Sequence, residues 1–144
     1  MVFLVSLFLA TAAPRHGDVV EAKALLQKAV SHYQRVGRKQ AIADFNTKKA
    51  TWTYSDLYIY CMDRNDKIIA NAAFPSLIGM SADAAMTDDG KPRGKAAWDA
   101  VAATGEGTVH YKWLNPVTKV YEPKTGYERK VGNDVCGVGV YSGR

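Results

Sequence analysis

The sequence predicts an α+β fold: a long N-terminal helix, then a five-stranded antiparallel sheet with helical crossovers. Three observations carry this. Apolar residues recur at helical spacing from Ala22 to Val36. From Trp52 onward the period becomes that of strands. Turn chemistry separates the strand-like runs at short intervals, with no internal repeat and no linker. A chain of 144 residues suits one domain with a sizeable core.

The helix is predicted over residues 18–36. Asp18 stands at the cap and Glu21 three residues later, in capping-box position. Ala22, Leu25, Leu26, Ala29, Tyr33 and Val36 share one face, and Gly37 is the stop. Arg38 to Phe45 reads as a shorter helix with Ala41, Ile42 and Phe45 inward. Asp56 to Met62 is a strand by its tyrosine and isoleucine content. Alternation puts Leu57, Ile59 and Cys61 on one face and Tyr58, Tyr60 and Met62 on the other. The turn residues 63–67 lead into a second strand, Lys67 to Ala73, which Phe74-Pro75 breaks. Residues 76–89 are irregular, and Gly94 to Thr104 predicts a helix with Ala97, Trp98 and Val101 inward. Thr108 to Leu114, Val120 to Val131 and Val135 to Tyr141 complete the sheet, so its strands lie within residues 52–141.

The net charge of +5 is mild and the basic residues are scattered. No basic stripe or nucleic-acid module is present, which argues against nucleic acid as a partner. Residues 2–13 are apolar apart from Ser6 and Thr11 and end in Thr11-Ala12-Ala13, which predicts a signal peptide over residues 1–13. The run lacks a preceding positive residue, and a buried N-terminal helix is the competing reading. Twelve residues are too few for a spanning helix, which takes about 20. Residues 14–144 then form the mature domain.

Two cysteines, Cys61 and Cys136, each fall in a predicted strand. In an exported protein they most simply form one disulfide, closing a loop of about 75 residues. The alternative is two buried thiols acting as small apolar side chains. They do not make a metal site, and His16, His32 and His110 are isolated, without metal-ligand spacing. No phosphate loop, haem attachment sequence or nucleophile elbow is present, so the sequence points to neither a cofactor nor an enzyme.

The most informative stretch is Gly105 to Tyr141, which sets Tyr111, Trp113, Tyr121 and Tyr127 around one lysine, Lys124. Aromatic walls with one cation are what a protein needs to hold a small anion out of water.

Four stretches extend this reading. YIYCMDRNDKIIANAAFPSLIGM is strand, acidic turn, strand and proline-containing loop. DDGKPRGKAAWDAVAATGEG is an aspartate-glycine-lysine turn, a helix and a glycine. VHYKWLNPVTKVYEPKTGYERKV is an aromatic strand, an Asn-Pro turn and a strand with lysine and tyrosine, and DVCGVGVY is a closing strand. In this order they resemble the single Cache sensor domain over about Asp18 to Tyr141. The resemblance implies a PAS-like, extracytoplasmic module for small ligands, short carboxylates among them. Many members are the outer part of chemoreceptors and histidine kinases. Here no second apolar span or signalling domain follows Tyr141, so the chain resembles a free-standing exported form.

The resemblance also implies a site. Lys124 matches the lysine of the family's fourth strand and would supply the charge. Tyr111, Trp113 and Tyr127 match its aromatic positions. Tyr111 and Trp113 are two apart and share a face, whereas Lys124 and Tyr127 are three apart and share one only through a bulge near Gly126. Tyr58 and Tyr60 are placed to line the same cavity, and Asn71 falls where the family's second strand carries a polar pocket residue. Ordinary sheet packing competes for each tyrosine, a structural hydrogen bond for Asn71, and a solvated strand position for Lys124. The leading reading is a periplasmic or secreted binding protein for a small-molecule ligand, with a carboxylate favoured and a membrane receptor or kinase as its downstream partner. The alternative is an interaction module in which the N-terminal helix forms a homodimer or docks on a receptor, beside a vestigial pocket.

Overall fold

The first helix begins at the capping box. In the structure, a computed structural model that describes residues 15–143, Asp18 accepts a hydrogen bond from the Glu21 N–H and Glu21 accepts one from the Asp18 N–H. The predicted signal segment, residues 1–13, lies outside the described residues. Helix α1 (Val19–Val36) buries Ala22, Leu25, Leu26, Ala29, Val30 and Tyr33 against the sheet. Gly37 then takes a positive φ of 85°, which lets the chain turn directly into α2 (Arg38–Thr47). The second helix thus runs two residues past the predicted Phe45, with Ala41 and Phe45 buried. Tyr33 donates to Asp134 at 2.6 Å and Arg38 to the same carboxylate at 2.8 Å, which ties both helices to the far end of the sheet.

The sheet has the five expected strands and a sixth of two residues. They are β1 (Thr53–Tyr54), β2 (Leu57–Met62), β3 (Ile68–Asn71), β4 (Glu106–Leu114), β5 (Tyr121–Val131) and β6 (Asp134–Tyr141). The spatial order is β1-β2-β6-β5-β4, with β3 also paired to β2, and every pairing is antiparallel. β3 is shorter than the predicted Lys67 to Ala73 because Asn71 ends it: its side-chain oxygen accepts from the Ala73 and Phe74 N–H groups. Two short 3-10 turns, residues 75–77 and 82–84, carry the chain across one sheet face to α3 (Arg93–Val101). No helix among the described residues is long and apolar enough to cross a membrane.

All six residues of β2 are buried, because both of its faces are covered. By alternation Leu57, Ile59 and Cys61 lie under α1 and α2, while Tyr58, Tyr60 and Met62 face the 3-10 turns and α3. Near the start of the described chain, His16 sits 2.6 Å from the buried Asp56, which also accepts from the Gly17 N–H and from Asn115. This contact holds His16 above the ordinary histidine range.

Cys61 and Cys136 stand directly opposite one another on β2 and β6, with Cα atoms 4.0 Å apart, and form a disulfide. Ile59 directs its N–H and C=O to Trp52 and Ala72 at the other edge of β2. Its pair with Val138, and the cysteine pair two residues on, are therefore of the close, non-hydrogen-bonded kind. The bond closes a 75-residue loop beneath the helices. Replacing both cysteines by alanine is expected to cost about 4 kcal/mol of unfolding free energy. A urea titration of the variant against the oxidised parent measures it, and coincident curves would contradict a stabilising bond.

Candidate functional site

The inner face of β5 is unusual because its buried positions are charged. Glu122, Lys124, Gly126 and Glu128 alternate inward and are all buried, whereas Tyr121 and Pro123 face out. Lys124 is 2% exposed and Glu128 1%. Charges at such depth need partners, and the neighbouring strands are built to supply them.

Tyr111 on β4 and Tyr141 on β6 stand directly opposite Lys124 on its two sides. The ammonium nitrogen lies 4.1 Å from the Tyr58 ring centre, 4.6 Å from Tyr141, 5.3 Å from Tyr60 and 5.7 Å from Tyr111. It donates to the Tyr58 hydroxyl at 2.7 Å. Tyr141 donates to the Leu114 carbonyl at 2.7 Å, so the 3.2 Å contact between the two phenols has Tyr58 as donor. The Tyr58 oxygen is then left to accept from Lys124. Burial holds Lys124 well below the ordinary lysine range, and the charge of Arg93 pushes the same way against a weaker pull from Glu128 and Asp56. Burial also pushes the phenols of Tyr58, Tyr60 and Tyr111 up, which keeps them neutral donors.

Glu128 is held by Arg93, the first residue of α3. One guanidinium nitrogen, Nη2, bonds Glu128 Oε1 and also reaches the Tyr60 hydroxyl at 3.1 Å and the Tyr111 hydroxyl at 3.4 Å. Tyr60 donates to Glu128 at 2.9 Å. Burial opposes the charge on Arg93, but Glu128 and the two phenols carry its net shift upward, so it remains a cation. Its other nitrogen, Nη1, is buried without a partner among the described residues, as is Glu128 Oε2.

Glycines make the space for these long side chains. Gly139 lies beside Lys124 and Gly137 beside Glu128 on the face where a β-carbon would overlap them. Gly126 lies between the two; a β-carbon there would stand 2.6 Å from the Tyr60 hydroxyl. The side chains of β5 thus lie flat over bare backbone, and a cavity of about 230 Å³ remains above them.

Six of the seven residues expected from the sequence line this cavity: Tyr58, Tyr60, Asn71, Tyr111, Trp113 and Lys124. Trp113 is half-buried and packs edge-on against Tyr111, with ring centres 6.1 Å apart. Asn71 uses its side-chain oxygen on the turn after β3, so its NH2 is the group left for the cavity. Tyr127 is the exception. The β4–β5 register runs unbroken from Glu106 to Leu114, so no bulge brings Tyr127 to the face of Lys124. Its ring lies on the opposite side, beneath Lys23 of α1, 5.4 Å away.

Arg93 and Glu128 escaped the sequence reading. Arg93 fell between the Asp-Gly-Lys-Pro turn and a helix expected from Gly94, where a solvated turn cation is the ordinary reading. A signal was present on β5, where Glu128 follows Lys124 and Gly126 at the strand period: a buried lysine face with a carboxylate on it calls for a second cation.

A helix laid across an antiparallel sheet, with a pocket on the other sheet face closed by turns and a short helix, defines a sensor-type ligand-binding domain. Residues 18–142 match the family model described as single Cache domain 2, and the chain belongs to that family. Among solved structures it resembles a methyl-accepting chemotaxis protein from Vibrio parahaemolyticus RIMD 2210633, with a TM-score of 0.69 and 22% identity over 85% of this chain and 86% of that one. A periplasmic sensor domain of a chemotaxis protein gives 0.63 and 21%, covering 83% and 87%. A Cache chemosensory domain solved for the basis of its carboxylic acid recognition gives 0.62 and 20%, covering 83% and 85%. No curated protein matches the chain.

Removing Arg93 would leave Glu128 as an uncompensated buried charge. Arg93→Leu is therefore expected to destabilise the domain by about 3–5 kcal/mol, and adding Glu128→Leu to recover most of the loss. Chemical denaturation of both single variants and the double variant measures the coupling; additive losses would show that the pair is not a unit.

Proposed function

We propose that this domain is an extracytoplasmic sensor module, not an enzyme, that captures a small organic anion, best a short monocarboxylate. One observation carries the reading: the buried guanidinium of Arg93 and the buried amine of Lys124 line one cavity, while Glu128, the carboxylate that bonds Arg93, does not line it. Once Lys124 takes up a proton, the two groups carry more positive charge than Glu128 offsets. Lys124 gives one N–H to Tyr58 and has others to offer, while Arg93 Nη1 has no partner among the described residues. A carboxylate would supply both the missing acceptor and the missing charge. The chemosensory domain solved with carboxylic acid recognition in view supports the same ligand class.

On this reading residues 1–13 direct export, residues 14–144 are the functional domain, and its occupied state is read by a membrane receptor or kinase. The chemotaxis proteins among the similar structures support that partner class. The rival interaction-module reading needs a free apolar face on α1, but the stripe from Ala22 to Tyr33 already packs on the domain's own sheet.

Calorimetric titration with short carboxylates tests the proposal. Lys124→Met keeps the packing among the four phenol rings and removes the desolvated amine. It is expected to abolish binding while the variant stays folded, with stability equal to or above the parent's; unchanged affinity would remove Lys124 from the site.

A pH dependence follows from the same residue. Lys124 binds fewer protons in the folded than in the unfolded protein between its lowered value and the ordinary lysine value. Its contribution to stability therefore rises with pH across that window. An anion beside it restores the charge, so binding takes up a proton and affinity falls as pH rises. Titrations in buffers of different ionisation enthalpy should show uptake in the parent and less in Lys124→Met; proton release by the parent would refute the linkage.

A further inference from the structure

From the division of the cavity into one charged wall and one apolar wall, we infer that the ligand is an amphiphilic monocarboxylate of about five or six carbons. Acetate is too small for the space and a dicarboxylate carries one charge too many. This inference rests on the anion-binding reading above and adds the length and polarity of the ligand.

The charged groups converge on the sheet: Lys124 stands on β5, and Arg93 reaches from the start of α3 to Tyr60, Tyr111 and Glu128. Lys124 and Arg93 flank the same two rings, Tyr60 and Tyr111, each within 5.7 Å of both ring centres. The apolar wall comes from the end of β2, from β3 and from the turns before α3: Met62 and Ile68 with Leu77, Met80, Ala82 and Ala85. Of its polar members, Ser81 bonds Asp66 and the Asn71 oxygen caps a turn, which leaves the neutral Asn71 NH2 as the donor this wall offers. No cation on that wall lines the cavity. A second carboxylate would lose its hydration there with one neutral amide, and no cation, to replace it.

Size gives the length. A cavity of roughly 150 Å³ takes a benzene-sized molecule of six non-hydrogen atoms, so one of about 230 Å³ takes somewhat more, on the order of eight. Pentanoate has seven and hexanoate eight. Acetate has four, which would leave half the cavity as water against apolar side chains. Met80 is 53% exposed, so the apolar wall continues to the surface, and a longer tail would emerge at the mouth without clashing.

The experiment is a calorimetric series of straight-chain acids from acetate to octanoate, with succinate and glutarate, at fixed pH and salt. Affinity should rise about fourfold per methylene, on the order of a hundredfold between acetate and hexanoate, and then level off. The dicarboxylates should bind at least tenfold more weakly than the monocarboxylates of equal length. Affinity that is flat or falls from acetate onward, or dicarboxylates that bind equally well, would overturn the inference while leaving the anion site standing. Failure of every acid to bind would overturn both.

Two variants locate the tail. Ala85→Leu fills the half-buried wall and should weaken hexanoate at least tenfold with acetate unchanged. If that variant does not fold, Met80→Asn at the exposed rim serves instead, and should weaken octanoate and hexanoate but not acetate. Equal effects on long and short acids would overturn the placement of the tail.

Discussion

Everything on the cavity side of the sheet depends on one constraint: β5 turns a lysine and a glutamate inward, where water cannot reach them. A buried charge is tolerated only with partners, and a single strand cannot supply them. Lys124 therefore draws in hydroxyls and ring faces from β2, β4 and β6. Glu128 draws in Arg93 from α3, which fixes where that helix must begin. Neither side chain could lie along the sheet if β6 carried ordinary residues at positions 137 and 139. The Cys-Gly-Val-Gly-Val alternation of β6 thus serves two faces at once: bare under the cavity, β-branched under the helices.

Much of this was legible in the sequence. The capping box, the apolar stripe of α1 and the tyrosine-rich β2 are local signals, and each element formed where its pattern stood. Strand alternation put Tyr58 with Tyr60 and Tyr111 with Trp113, and the family resemblance added Lys124 and Asn71; all six candidates line one cavity. The failures share a cause. Tyr127 needed a bulge, and bulges depend on the partner strand, which local sequence does not display. Arg93 needed knowledge that α3 starts one residue earlier and points its first side chain across the sheet toward β5. That is a contact between residues 35 apart, and no periodicity encodes it. The two-residue β1 carries too few residues for any period to show, and exists because Trp52 meets Ile59 on β2.

The two faces of the sheet divide the labour of stability and recognition. Under α1 and α2 the core is apolar, with Phe45 edge-on to Trp52 at 4.7 Å and the disulfide joining β2 to β6. Burial there is the main source of folding free energy. On the other face a desolvated lysine, a buried ion pair and three glycines contribute little net stability or reduce it. A protein selected for stability alone would put leucine or valine at those positions. Such a face is sustainable because the helix side, cross-linked through the two central strands, holds the sheet in place independently. The cost of keeping the Arg93 guanidinium and the Lys124 amine dry is then borne by a scaffold that does not need them, and an anionic ligand of the proposed kind would relieve it. Such a coupling of affinity to the relief of desolvation would tie the cavity's chemistry to the rest of the fold.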